Sequence, residues 1–505
     1  MKFQWTFVNN VCKRHVSLNG GNRHVKSLVY AKKLDNTVSN THFISLSGPG
    51  TIDFVNGMVT TKLNEKVIKK NLTSLSMDDE GYEPSQTLTD LQDISMSNYV
   101  AKQMIDLYKT EFKTLDDEDI RRKSLYDEQL ESYGNIKGQF TALLTSQSKV
   151  TSLMRLYTPL SEKGESIIIE LPKQYDAKLD PECDAIAILE KHKRFKRHVK
   201  MVKDVQDEPE SGFDVWELCF EGNLTKSDME LEVLSMILEE NKMNYLFNKK
   251  IHVDEHFLSD KIIAIYFDDV LYNSSLVNED SHNVYYRYKV LVEKSTTKFN
   301  DFVHSIYVEN FKENSIKEIQ DIEHKFGLFD LGDILPGSVL PFDLNLDYVP
   351  NSLSFDKGCY IGQELTTRMY STDKIVKRGV PIDVLKSEKN LQPQVGWDLY
   401  TDYEFKTTDE EEPKVNDVFG SSKQGIKKRN KPVGKLIINN DEKNVRLVSL
   451  KIKYINEIFA NKNKEIKFYL TPSKDEMKSK GLKKDDYKVD VEIKTPYWID
   501  EYTEE

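Results

Sequence analysis

The order in which hydrophobic periods change along the chain limits its fold more than any other feature. Before about residue 375, runs with strand-like alternation are mixed with helical ones. The strand-like runs fall at 42–46, 139–144, 150–157, 166–171, 262–267 and 284–292. Helical spacing appears at 184–192, 226–240 and 299–311. Thr51 is placed to cap a further helix carrying Ile52, Phe54 and Val55, after the Ser47-Gly48-Pro49-Gly50 turn. Beyond residue 375 only short strands remain, at 378–384, 433–438, 445–453 and 467–470. Strands separated by turns, with few helices, predict a small β barrel or sandwich. The fold class is therefore α+β, with an α+β region over 41–375 and a C-terminal β-barrel domain over 376–505. No run of 18 apolar residues predicts a membrane span, so no membrane insertion is expected.

Charge divides the 505 residues differently. The formal net charge is −12, yet residues 1–34 hold seven Lys/Arg and no acid. Phe3, Phe7, Val8 and Val11 lie at helical spacing in that stretch. An acid-free, basic, amphipathic leader is read as a mitochondrial transit peptide within 1–40, with a plain disordered basic N-terminus as the alternative. Order is expected to begin near His42. Residues 78–131 carry 15 acids against six Lys/Arg and read as a solvated insertion. Two basic runs stand out, 191–200 with six Lys/Arg and 423–431 with five. Such runs grip phosphates, face an acidic partner, or are simply solvated. The acidic whole makes a nucleic-acid partner unlikely as a general binding mode. Four cysteines exclude a disulfide scaffold and suit a reducing compartment.

The segment Lys357-Gly358-Cys359-Tyr360-Ile361-Gly362-Gln363-Glu364 carries the most chemistry. A Lys-Gly turn leading into a helix near Cys359 would favour its thiolate through the helix dipole and the neighbouring ammonium. Cys359 is thus a nucleophile, metal ligand or redox group, or else a small thiol packed behind a glycine turn. His252-Val253-Asp254-Glu255-His256 matches an inverted zinc-protease motif, but its apolar period is indecisive and no third ligand can be assigned. A connecting loop is the plainer reading there.

These eight residues resemble the signature of the YgfZ-type branch of the aminomethyltransferase-like (GcvT-like) proteins. Leu340-Pro341-Phe342-Asp343-Leu344-Asn345-Leu346-Asp347-Tyr348 resembles the segment that precedes it, and residues 47–60 resemble the family's first block. The resemblance implies a three-domain fold around a central channel, closed by the C-terminal barrel. It implies tetrahydrofolate as the channel's ligand, with Asp343, Asn345 and Tyr348 as pocket candidates. For mitochondrial matrix members it implies late iron–sulfur biogenesis, with A-type scaffold proteins as partners and [4Fe–4S] enzymes of the aconitase and radical-SAM types as clients. Cys359 is then a functional thiol in transient or shared contact with iron or a cluster, and Lys357 tunes it or meets an anion. One thiolate does not hold a [4Fe–4S] cluster, which takes about four ligands. Cys12, Cys183 and Cys219 form no C-x-x-C spacing, so no stably bound metal is expected.

The alternative is a folate-dependent one-carbon transferase. The transferase has acids in its second conserved strand, whereas Ser148-Lys149-Val150-Thr151-Ser152-Leu153-Met154 offers no carboxylate to move a proton.

Overall fold

In the computed structural model the chain builds two antiparallel sheets and a closed barrel. The structure describes residues 27–34, 40–63, 138–159, 165–173, 184–208 without 195, 212–223, 261–303 without 279, 281, 282, 295 and 297, 316–385 without 356, 391–403, 431–461, and 466–499 without 474, 475 and 479–486. The N-terminal leader, the acidic insertion, the helix at 226–240, the His252 to His256 motif and most of the basic run at 423–431 lie outside these residues.

The first sheet has the order β1-β7-β9-β8, from β1 (Ser27–Leu34), β7 (Phe213–Asn223), β8 (Ile262–Phe267) and β9 (Asn283–Glu293). Its residues alternate between two covered faces. Trp216, Leu218 and Phe220 pack with Phe302 and Val303 on one side. Val29, Cys219 and Tyr285 pack on the other against α3 (Asp269–Leu276) and α4 (Ile316–Phe326). Burial on both faces makes β9 largely apolar; its inner charges, Arg287 and Lys289, meet buried carboxylates, and Glu293 is exposed at its end. Order was expected near His42, but Ser27–Leu34, inside the expected 1–40 leader, already form strand β1. A basic, acid-free stretch reads as a leader by composition, yet Leu28 and Val29 are fully buried and β1 pairs with β7 along its length.

The chain leaves this sheet after β1 to build the second, ordered β3-β4-β5-β2-β6. Its strands are β2 (Thr41–Ser47), β3 (Gln139–Leu144), β4 (Val150–Tyr157), β5 (Ser166–Pro172) and β6 (Lys200–Lys203). Helices α1 (Thr51–Asn56) and α2 (Ala185–Lys193) cover one face. Asp184 caps α2 by accepting from the Ile186 and Ala187 amides. Thr51 is the first residue of α1 rather than its cap, and its hydroxyl donates to the Gly48 carbonyl at 2.6 Å. Phe43, Tyr157 and Ile168 join this sheet to Val215, Ala264 and Leu291 of the first. Of the helix expected at 299–311, residues 304–311 lie outside the described residues, and Phe299–Asp301 forms a 3₁₀ turn.

A strap of 3₁₀ turns over 327–362 then runs to α5 (Gln363–Ser371) and the barrel. The barrel closes as β10-β13-β12-β11-β14-β15, from β10 (Lys377–Val384), β11 (Asp398–Thr401), β12 (Gly434–Asn440), β13 (Val445–Lys451), β14 (Phe468–Thr471) and β15 (Val489–Ile493). Closure leaves no free edge. The α+β class and the C-terminal barrel are both as expected from the hydrophobic pattern. Strap and barrel are locked by Arg378, which donates to both Asp347 oxygens at 2.8 Å and lies 4.3 Å from the Tyr348 ring centroid. Tyr348 in turn stacks on Trp498 at 5.0 Å.

Candidate functional site

The signature segment is held at both ends around an exposed centre. Lys357 is 7% exposed, and its Nζ donates to the carbonyls of Asn56, Val59 and Thr61, each at 2.6 Å. Three donors thus meet three carbonyls at the C-terminal end of α1, where helix carbonyls lack intrahelical partners. Tyr360 is buried beneath this ammonium, its ring centroid 4.8 Å from Nζ. At Gly362, φ is +78°, and a Cβ would lie 2.3 Å from the Thr145 carbonyl oxygen of the β3–β4 turn. Only glycine fits there. Ser148 in the same turn donates its hydroxyl to the Gly362 carbonyl. Thr60 and Thr61 donate theirs to Ser352 and Asn351. Between these anchors Gly358 borders open space and Cys359 is exposed.

One expectation changes. Helix α5 begins at Gln363 rather than near Cys359, so Cys359 sits in irregular backbone before it. Lys357 donates to three carbonyls, so its ammonium fixes the loop. Cys359 is presented by a braced loop. Cys219 is the contrary case: it is fully buried, and burial pushes its thiol well up, as for an inert packing cysteine. Cys12 and Cys183 lie outside the described residues. Among the described residues no group of three or more His, Cys, Asp or Glu is placed to hold a metal.

A second feature lies where the two sheets, α4, the strap and the barrel meet. It is a cavity of about 470 Å³ with Phe140, Tyr266, Phe329 and Trp498 among its walls. Its polar lining is a web of charges that rise out of otherwise apolar strands. Glu170, fully buried on β5, accepts from Lys289 Nζ at 2.8 Å, Arg155 at 3.2 Å and the Tyr157 hydroxyl at 2.7 Å. Arg155 also pairs with Asp330 at the rim. Arg287 donates to Asp268 at 2.6 Å and to Glu323 at 2.5 Å. Burial opposes the Glu170 charge, but Lys289 and Arg155 outweigh it and hold the carboxyl below its usual range. Burial likewise opposes charge on Asp330, and Arg155 and Lys289 hold that carboxyl well below the usual range.

These residues were not singled out from the sequence. The usable signal was a charge inside a strand that otherwise reads as buried, as in Ile167-Ile168-Ile169-Glu170-Leu171 and Tyr286-Arg287-Tyr288-Lys289-Val290. Register brings Glu170 opposite Arg155 of β4, so the strand lacking a carboxylate faces one after all. That carboxylate is committed to two cations and a phenol and is not poised to move a proton.

The expected pocket residues fare differently. Asn345 lines the cavity, but its amide is used on β10, donating to the Gly379 carbonyl at 2.9 Å and accepting from the Gly379 amide at 3.2 Å. Asp343 is not in the lining: it accepts from the Leu340 amide at 2.9 Å and the Ser449 hydroxyl at 2.5 Å. Tyr348 is packed between Arg378 and Trp498, away from the cavity surface. All three fasten the strap to the barrel. Their polar side chains are needed there because a buried polar group without a partner is costly.

The cavity nevertheless fits a folate in size and chemistry. Pockets for ligands of that class run from about 300 to 1,000 Å³ with mainly apolar walls. Glu217 and Glu323 line it, each with one carboxylate oxygen to which no hydrogen bond is assigned among the described residues. Asp330 keeps 40% of its side chain exposed at the rim. Carboxylate oxygens of this kind suit the N–H-rich edge of a pterin, and the Arg155 Nε is buried with no hydrogen-bond partner.

No family model matches the chain. It is 29% identical over 427 residues to the iron-sulfur cluster assembly factor IBA57 homolog, mitochondrial, of Kluyveromyces lactis, covering 81% of this chain and 84% of that protein. It is 25% identical to the Candida glabrata protein of the same name, covering 97% and 96%. It is 23% identical to the iron-sulfur cluster assembly factor IBA57, mitochondrial, of Saccharomyces cerevisiae, covering 92% and 88%. Among solved structures it is similar to the glycine cleavage system aminomethyltransferase T from Bartonella henselae, with a TM-score of 0.41, 9% identity, and 97% and 90% of the two chains covered. Likeness to the three named relatives along most of the chain bears out the resemblance drawn from the signature.

Proposed function

We propose that this chain is a mitochondrial iron–sulfur cluster assembly factor that works through the exposed thiol of Cys359. The observation that carries this reading is the braced loop. Lys357, Tyr360 and Gly362 hold the backbone on either side of an exposed thiol. A single fixed thiol cannot bind a cluster unaided, so the cluster is cargo and its other ligands come from a partner. Likeness to relatives named as mitochondrial assembly factors supports the same task. The finer reading is late [4Fe–4S] maturation in the matrix, with A-type scaffold proteins as partners and aconitase-type and radical-SAM enzymes as clients. Among the described residues no helix is long and apolar enough to cross a membrane.

Cys359→Ser tests the reading. The side chain is exposed, so stability should change by no more than about 0.5 kcal/mol. Aconitase activity and protein lipoylation should both fall severalfold in cells carrying only that variant. Normal levels of both would remove the thiol from the function.

The cavity adds a second component, tetrahydrofolate. Glu217, Glu323 and Asp330 would hold the pterin edge, and Phe140 and Trp498 would flank the ring. Bound there, a folate supplies a carrier for one-carbon units. A folate at one hundred times its Kd should raise stability by about 2.7 kcal/mol, seen as an upward shift in a thermal melt. The shift should vanish in Glu323→Gln. No shift with any reduced folate would leave only the cysteine-centred role.

A further inference from the structure

The basic run at 191–200 extends through β6 into one surface patch. Lys191, Arg194, Lys196, Arg197, Lys200 and Lys203 are all exposed. Lys203 pairs with Glu190 at 2.7 Å, while no ion pair is assigned to the other five among the described residues. Like charges gathered on an acidic chain of net charge −12 need a local reason.

Position supplies one. The patch and the thiol loop cover the same small core. Val199 within the basic run, Leu189 of α2 and Ile361, two residues after Cys359, belong to one apolar cluster around α1. Helix α1 is six residues long, which is about 9 Å. Its C-terminal end is clamped by Lys357, and the turn at its N-terminal end is pressed against His198, whose carbonyl lies 2.4 Å from where a Gly48 Cβ would be. A protein partner buries about 800 Å² per side in a standard interface. A footprint of that size spans more than the length of α1, whose two ends the thiol loop and the basic run hold.

We infer that residues 191–203 form the docking surface for an acidic face of the protein that meets Cys359, an extension that rests on the thiol-centred function proposed above. Charge of this kind steers encounter and fixes register. Two observations favour a protein over a phosphate polymer or a membrane. Val202 is 38% exposed and Met201 is half-buried between the lysines of β6, which is the edge strand of its sheet, so the patch has an apolar centre with a charged rim. The whole chain's negative charge opposes an extended polyanion, whereas a compact acidic face feels mainly the local field within a screening length of about 8 Å.

The test uses the full chain and two peptides of about ten residues, a reach of roughly 33 Å. Each carries a cysteine activated as the 2-pyridyl disulfide; one is glutamate-rich, the other glutamine-rich. Release of pyridine-2-thione reports attack by the thiol, and a Cys359→Ser blank removes reaction at other cysteines. At low salt the acidic peptide should react at least tenfold faster at Cys359, and the advantage should fade as salt rises. Lys191→Glu/Arg194→Glu/Arg197→Glu should abolish the advantage while the rate with the glutamine-rich peptide is kept, and the milder Gln triple variant should reduce it in part. Equal rates for both peptides on the native chain would overturn the proposal, as would an advantage untouched by the triple variant. Binding of RNA or of phosphatidylglycerol vesicles through the same residues, with equal peptide rates, would reassign the patch to phosphate. Loss of peptide selectivity leaves the cellular Cys359→Ser result standing, so the two readings fail separately.

Discussion

Lys357→Met should destabilise the protein by about 3–5 kcal/mol, the cost associated with removing one partner of a buried charged arrangement. Met replaces the stem's volume, so the loss isolates the ammonium. Three carbonyls, of Asn56, Val59 and Thr61, would lose the same donor at once. Burying even one such group unpaired costs about 1–3 kcal/mol. Lys357→Arg should not rescue fully, because a planar guanidinium cannot direct three donors as a compact ammonium does. The check is chemical denaturation of the three proteins side by side, together with the rate at which Cys359 reacts with a small neutral disulfide. In Lys357→Met the midpoint should drop, and the thiol should react with altered rate because its loop is no longer fixed. A midpoint within 1 kcal/mol of the native value would show that the carbonyls find other donors and that the clamp is not what holds the loop.

This clamp shows where sequence reading stopped. The strands over Gln139–Leu144, Val150–Tyr157 and Ile262–Phe267 were legible residue for residue, because short apolar runs bounded by turns mark buried strands. The barrel was legible from the loss of helical spacing. Cys359 stood out as a reactive type within a distinctive motif. The role of Lys357 was not legible, since its acceptors lie about 300 positions away and are backbone atoms, which leave no mark on sequence. The structural contacts of Asp343, Asn345 and Tyr348 were hidden for a related reason, although Asn345 does line the cavity. Polar residues beside a signature look like ligand groups, and only the approach of β10 and β13 shows them to be fastenings. Strand β1 was hidden by composition, because a basic edge strand and a basic leader use the same residues. The cavity web needed register across three strands before Glu170, Arg155 and Lys289 could be seen as one unit.

That web carries the other large effect. Glu170→Gln should cost about 3–5 kcal/mol, because Lys289 and Arg155 would keep their charges in a buried site after their shared partner is neutralised. The sign of the pH dependence follows from the same groups. Glu170 and Asp330 both have folded pKa values below their unfolded ones. Their contribution is therefore complete above the unfolded carboxylate range, near pH 4, and is lost as pH falls through the folded values. The native protein should lose stability on acidification below about pH 4 by up to about 1.4 kcal/mol per pH unit for the proton taken up by buried Glu170, with less from Asp330, which solvent screens. Glu170→Gln removes one of those protons, so its stability, lower at pH 7, should fall less steeply in acid and approach that of the native chain. Adding Lys289→Met to Glu170→Gln should recover part of the loss, since a buried pair replaced whole by neutral groups is often tolerated. Denaturation midpoints of the four proteins from pH 7 down to pH 3 test both statements. If the double variant is weaker than the sum of the singles, Lys289 supports the fold by packing rather than by its charge. If the acid limb of Glu170→Gln runs parallel to the native one, Glu170 titrates alike in the folded and unfolded chains and the web does not hold its charge.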